Sequence, residues 1–141
     1  MIQGAAKAID FYKRAFGAKE IMHMDGPQGK IVHAEIQIGD SRIMLSDEIG
    51  GACKSPQTLS GTTASIFLYV EDVDKVFNQA EAAGAKVVMA LANQPWGDRF
   101  GTLTDPFGHV WSLATHVEDV APEEIDRRMK KMMAERAQSA G

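Results

Sequence analysis

The sequence predicts an α+β fold of two paired βαβββ modules followed by a C-terminal helix, and three observations carry that prediction. First, the chain repeats itself. Ala15-Phe-Gly-Ala-Lys19 matches Ala82-Ala-Gly-Ala-Lys86 at an offset of 67 residues, and Gly39-Asp-Ser-Arg-Ile-Met-Leu45 matches Pro106-Phe-Gly-His-Val-Trp-Ser-Leu113 at 67 to 68. Second, each half places a helix-period apolar stripe before runs of strand character. Third, Gln94 to Leu113 reads as two strands joined at Asp105-Pro-Phe-Gly108, where Pro106 presets φ and Gly108 offers φ > 0. One βαβββ unit cannot bury both faces of its sheet, so two of them pair.

In chain order, Ala5–Phe16 reads as an amphipathic helix with Ala5, Ala8, Ile9, Tyr12 and Phe16 on one stripe and Gly17 as its C-cap. Lys19–Met24 is a strand and Asp25–Gly29 a turn. Ile31–Ile38 alternates: Val32, Ala34, Ile36 and Ile38 point one way, and His33, Glu35 and Gln37 the other. Gly39–Ser41 turns into a strand at Arg42–Ser46. Asp47–Thr63, rich in Gly, Ser, Thr and Pro, is the longest irregular stretch and reads as a linker. Ala64–Val70 is a strand. Asp72–Ala83 is a helix burying Val73, Val76, Phe77 and Ala80, with Gly84 as its cap. Lys86–Leu91 is a strand and Ala92–Gly97 a loop, and the hairpin of Asp98–Thr104 and His109–Ala114 follows. The last helix starts at Pro122 with Glu123 and Glu124 at its positive end, and its stripe is Ile125, Met129, Met132 and Met133. The expected boundaries are a first module over 1–48, in which only Met1–Gln3 stands for the opening strand, a linker over 49–63, a second module over 64–118 and a helical tail over 119–141.

Composition excludes several classes. A formal net charge of -4 argues against nucleic acid, which needs a basic face. No apolar run approaches the roughly 20 residues that span a bilayer, so a membrane is not an expected partner. Cys53 is the one cysteine, which leaves no disulfide framework and makes a reduced cytoplasm the expected location.

Lys7-Ala-Ile-Asp-Phe-Tyr12 with Phe16-Gly-Ala18, Val70-Glu-Asp-Val-Asp74 after a strand, and Asp105-Pro-Phe-Gly-His-Val-Trp111 resemble the vicinal oxygen chelate superfamily. This is the glyoxalase, bleomycin-resistance and dioxygenase group. Gly39-Asp-Ser-Arg-Ile-Met-Leu-Ser-Asp47, Gly97-Asp-Arg-Phe-Gly101 and the tail from His116 look most like its PhnB-like branch. The resemblance implies a curved, mixed eight-stranded sheet around a cavity, commonly in a homodimer. It also implies one divalent metal held by the first and last strands of each module, polarising two neighbouring substrate oxygens.

Matched position by position, Ser65 stands at the second module's first-strand ligand, Ser112 at its last-strand ligand and Met44 at the equivalent first-module carboxylate. The fourth position falls on the opening strand. Hydroxyls and a thioether do not replace imidazole and carboxylate for a hard or borderline cation, so no metal of the usual kind and no other cofactor is expected. Nor does a methyltransferase activity, sometimes attributed to this branch, find a glycine-rich βαβ loop here.

By alternation, Ser65, Phe67, Tyr69, Arg42, Met44, Ser46, Val110 and Ser112 share the cavity face. Ile66, Leu68, Val70, Ile43, Leu45, Trp111 and Leu113 then face the helices, which makes Trp111 core. Two functions follow from the resemblance. One is a non-catalytic binder of a small molecule, using Met44, Ser65, Phe67, Tyr69, Trp96, Arg99, Phe100 and Ser112. The other is a metal-dependent lyase, isomerase or dioxygenase with a rearranged site on His33 and Glu35, whose His-x-Glu spacing suits acid–base work. Arg99 is read either as a bidentate clamp for an anionic ligand or as a surface ion pair with Asp98 or Asp105. His109 is expected to support its turn, and His23 and His116 to lie on the surface.

Overall fold

A computed structural model of the chain describes residues 1–51 and 53–139. The elements are α1 (Ala5–Phe16), β1 (Lys19–Asp25), β2 (Ile31–Ile38), β3 (Ser41–Leu45), α2 (Pro56–Leu59), β4 (Ser65–Tyr69), α3 (Val73–Ala83), β5 (Lys86–Asn93), β6 (Asp98–Thr104), β7 (Val110–His116) and α4 (Pro122–Ser139). Among the described residues the strands form one sheet in the order β1-β2-β3 and another in the order β4-β7-β6-β5.

The repeat is visible in individual hydrogen bonds. Ile2 N–H donates to Ser46 O at 3.0 Å and Val70 N–H donates to Ala114 O at 2.9 Å, at equal sequence separations in the two halves. Ile2 forms a single parallel bridge with Asp47, whereas β4 pairs with β7 in parallel along its length. Among the described residues, the opening strand of the first module is thus represented by one residue, and seven strands stand where the resemblance implied eight.

Helix starts are repeated too. Gly4 precedes α1 and has no side chain to cap it, so buried Asp47 takes the job: its Oδ1 accepts from Gly4 N–H at 2.8 Å and Ala5 N–H at 3.0 Å. Its Oδ2 accepts from Ile31 N–H at 2.9 Å, tying the helix to β2. At the matching place, Thr115 Oγ1 accepts from Val73 N–H at 2.9 Å, while Asp72 caps α3 by accepting from Lys75 N–H at 3.0 Å.

The helices α1 and α3 pack against each other and cover one face of the sheets. Tyr12, Phe16, Phe107 and Trp111 form a ring cluster there, with the Phe16 and Trp111 centroids 4.4 Å apart. Asp105 is buried beneath it and accepts from Tyr12 Oη at 2.7 Å, Trp111 Nε1 at 2.9 Å and the N–H groups of Phe107 and His109. One carboxylate therefore fixes the β6–β7 turn and pins the first module's helix to the second module's sheet. Trp111 is core, as alternation required.

Two strands run two residues further than the sequence suggested. The strand β5 reaches Asn93 and β7 reaches His116. The linker also carries a helical turn, α2, capped by fully buried Ser55. Glu48 accepts from Ser55 N–H and from Thr58 Oγ1 at 2.9 Å, and these bonds hold its carboxyl down to about 2. A segment that composition marks as irregular is thereby fastened to the end of the first module.

Candidate functional site

Because α1 and α3 occupy one face of the sheets, the opposite face is open. Phe67 is 47% exposed, Tyr69 63% and Met44 66%, while their strand neighbours Leu68, Trp111 and Leu45 pack into the core. The face assignment made from alternation therefore holds for β3 and β4; on β7 Trp111 is core as expected, but Ser112 on the opposite side is also buried, at 7% exposure.

In the second sheet, register sets the open-face residues in rows. Ser65, Val110 and Thr104 form one row, Phe67, Ser112 and Thr102 the next, and Tyr69, Ala114 and Phe100 the third. Three rings make a continuous wall. Phe67 stacks on Phe100 with centroids 5.6 Å apart and planes at 20°, and it lies 5.1 Å from Tyr69. Trp96 meets Phe100 edge-on at 6.1 Å and closes the rim. Ser112 lies between Phe67 and Thr102 across the strands, so hydroxyls adjoin the rings.

The wall is held from below by Asp98, which is 3% exposed. Its Oδ2 accepts from Tyr69 Oη at 2.8 Å and from Trp96 Nε1 at 3.0 Å, and its Oδ1 faces His116 Nδ1 at 3.0 Å. Burial pushes the Asp98 carboxyl up, but the bonds from His116, Tyr69 and Trp96 outweigh it and hold the group below its ordinary value. The hydrogen bond to Asp98 raises the Tyr69 phenol. Contacts with Asp119, at 2.8 Å, and with Asp98 raise the His116 imidazole. His116 lies on the surface, as the sequence suggested, but both of its ring nitrogens face carboxylates. The missed signal was strand length: with β7 extended to His116, register sets it directly opposite Asp98.

Arg99 alternates to the other face. Its Nε and Nη2 each donate to Asp74 at 2.6 Å and its Nη1 donates to Asn93 Oδ1 at 3.3 Å. The ion-pair reading is the one realised, with Asp74 of α3 as partner in place of Asp98 or Asp105, and Arg99 stands apart from the ring wall. His109 supports its turn through its N–H to Asp105, and its ring Nε2 lies 3.1 Å from Met1 O.

The first sheet's open face carries His33, Glu35 and Gln37 with Met22, Met24 and Met44 on the flanking strands. His33 Nε2 lies 3.4 Å from Glu35 Oε1, and Arg42 Nη1 donates to Glu35 Oε2 at 3.1 Å. The carboxylate is thus already engaged on both oxygens. Among the described residues, no group of three or more His, Cys, Asp and Glu side chains is arranged so that it could hold a metal ion. Ser65, Ser112 and Met44 present hydroxyls and a thioether, a donor set that does not fit the superfamily's divalent metal.

Between the sheets, a groove of about 640 Å³ runs from the β2–β3 turn past Phe67 and Tyr69 to the first turns of α3. Phe16 and Ile38 line it on one side and Lys75 and Gln79 on the other.

Two helix-capped sheets with a repeated edge geometry, each with one uncovered face, define a class, the tandem βαβββ proteins. The model of the Glyoxalase/Bleomycin resistance protein/Dioxygenase superfamily matches residues 2–113, and the chain belongs to that superfamily. An uncharacterized protein of Mycobacterium bovis is 46% identical over 133 residues, covering 92% of this chain and 88% of its own length. A gene product of Arabidopsis thaliana of known structure has a TM-score of 0.65 at 29% identity, over 80% of this chain and 89% of that one. A PhnB protein from Bacillus cereus, at 21% identity and a TM-score of 0.62 over 82% of this chain and 93% of that one, shares the fold. Among the described residues, no helix is long and apolar enough to cross a membrane.

Proposed function

We propose that this chain binds a small planar molecule on the open face of its second sheet, without the divalent metal of its superfamily. The carrying observation is the wall of Phe67, Phe100 and Tyr69, rimmed by Trp96 and fixed by Asp98. Exposed rings that stack on one another offer a flat apolar surface to a ligand, and contiguous apolar patches of this kind mark binding sites. Ser65 and Thr102 supply the few accessible polar groups that orient a bound molecule, with Ser112 buried between the strands that carry the rings. The adjoining groove is of the size that small-molecule sites occupy, on the order of 300–1,000 Å³. Met44, from the first sheet, adds an adaptable thioether. We place the protein in the cytoplasm as a homodimer: its one cysteine suits a reducing compartment, and a second copy would cover sheet faces that this chain leaves open.

One observation favours a second reading. His33 and Glu35 share the open face at 3.4 Å, so a rearranged metal or acid–base site would be built there. Elemental analysis of protein purified without chelator separates the two. The binder reading expects no stoichiometric divalent metal and no calorimetric signal from added Ni²⁺, Mn²⁺ or Fe²⁺. Stoichiometric metal that is lost in His33→Ala or Glu35→Ala would replace it with the enzyme reading.

A further inference from the structure

The open face of the first sheet gathers sulfur that the core does not use. Met22, Met24 and Met44 are all exposed, and they stand around His33. Their placement depends on an irregularity in β1. Lys19 pairs with Gln37 on the open face, so strict alternation from Lys19 would bring Ile21, His23 and Asp25 to that side. A bulge between Glu20 and Met22 absorbs one residue instead, and Met22 then pairs with Glu35 and Met24 with His33. Bulges re-aim side chains, and this one turns two thioethers onto the face that holds the imidazole.

Register puts His33 at the centre of the group. Met24 stands directly opposite it on β1, and Met22, the partner of Glu35, is diagonal to it. Met44 pairs with Glu35 from β3, so it is diagonal to His33 on the other side. Opposed residues on neighbouring strands have Cβ atoms about 4.5–5.5 Å apart, and diagonal ones at about 7–8 Å are still within reach of long side chains. Methionine turns about three side-chain bonds, so the thioethers can converge on one point beside the ring. His33 Nε2 lies 3.4 Å from Glu35 Oε1, while Arg42 Nη1 donates to Glu35 Oε2 at 3.1 Å. That contact favours the imidazole proton on Nε2. The lone pair of Nδ1, which has no hydrogen-bond partner among the described residues, is then available.

We infer that this face binds one soft monovalent ion, of which Cu(I) is the biological case, through His33 Nδ1 and the thioethers of Met22, Met24 and Met44. Thioether sulfur selects Cu(I), whereas hard and borderline divalent cations call for carboxylate and imidazole sets that do not assemble among the described residues. Four neutral donors suit a single positive charge. Glu35 is a positioning residue that orients the ring, and it is not a ligand. The site belongs to the first sheet and does not rest on what the ring wall of the second sheet takes.

The test is an anaerobic Cu(I) titration against the coloured chelator bicinchoninate. It is run on the full chain and on Cys53→Ser, which removes the exposed thiol that competes as a soft donor. Cys53→Ser is expected to withdraw one equivalent from the chelator. Met24→Leu with Met44→Leu, in the Cys53→Ser chain, preserves apolar volume and is expected to lose that equivalent with an unchanged circular dichroism spectrum. Glu35→Gln keeps an acceptor for Nε2–H and should retain the ion, which a divalent site on His33 and Glu35 would not. Methionine-methyl NMR with Ag(I), a redox-inert probe, should shift Met22, Met24 and Met44 and leave Met129, Met132 and Met133 in place. No withdrawal by Cys53→Ser, or an equivalent that survives in the double methionine variant, would overturn the inference. So would loss of the ion in Glu35→Gln, or Ag(I) shifts confined to the methionines of α4.

Discussion

Asp98 shows how one residue can serve as both framework and site. It is buried, yet all its partners stand on or beside the open face: Tyr69, Trp96 and His116. Replacing it with alanine removes the acceptor shared by Tyr69, Trp96 and His116, and because Tyr69 and His116 are exposed the expected cost is about 1–2 kcal/mol, read as a lower urea midpoint. Trp96 loses its anchor in the same variant, so the tryptophan emission should shift to the red. The network also has a defined pH window. His116 is raised, so its contribution is full below the unfolded histidine value of about 6.5 and fades as pH rises through the folded value. Asp98 is depressed, so its contribution is present above the unfolded value of about 3.9 and is lost as pH falls through the folded one. The melting-temperature gap between the wild type and His116→Gln is expected to be largest between these limits and to narrow above neutrality. A gap that stays constant up to pH 9 would show that the imidazolium plays no part.

The hairpin of β6 and β7 was the most legible element, because its turn chemistry and alternation agree. What could not be read was the reach of its strands. Thr115 and His116 look like the start of a tail, yet they pair with Arg99 and Asp98. Register across strands set their roles, and a one-dimensional pattern does not carry register. Gly101, on β6, shows a second hidden constraint: a Cβ there would sit 2.7 Å from Phe77 Cε2 of α3 and 3.1 Å from Met89 O. Gly101→Ala should therefore cost about 1–3 kcal/mol through overpacking, seen in thermal melts, although its backbone geometry is ordinary. The pair of Arg99 and Asp74 was half legible. An ion pair was one of two readings, but the partner lies on a helix 25 residues away, which strand pairing alone could not name. Arg99→Ala should leave ligand binding on the opposite face unchanged. The linker was the least legible element, since α2 and the bonds between Glu48 and Ser55 are tertiary events in a stretch whose composition signals only turns.

At the scale of the molecule, the repeat was enough to give the fold class, because it encodes both caps and edges. Asp47 and Thr115 do equivalent work with different chemistry, so the symmetry is one of geometry more than of residue identity. The site followed in part. Alternation placed Phe67, Tyr69, Met44 and Ser112 on one side, while Asp98 and His116 beneath the wall came only with the three-dimensional register. The open face of the second sheet gives the account its central claim: the ring wall is a surface for a planar ligand. The most direct test is a titration with planar aromatic compounds, beginning with 1-anilinonaphthalene-8-sulfonate, on the wild type, Trp96→Phe and Phe67→Ala. The account predicts saturable quenching of tryptophan emission that Trp96→Phe removes, with an affinity at least tenfold weaker in Phe67→Ala. Saturable binding that Phe67→Ala leaves unchanged, or no saturable binding of any compound, would contradict it.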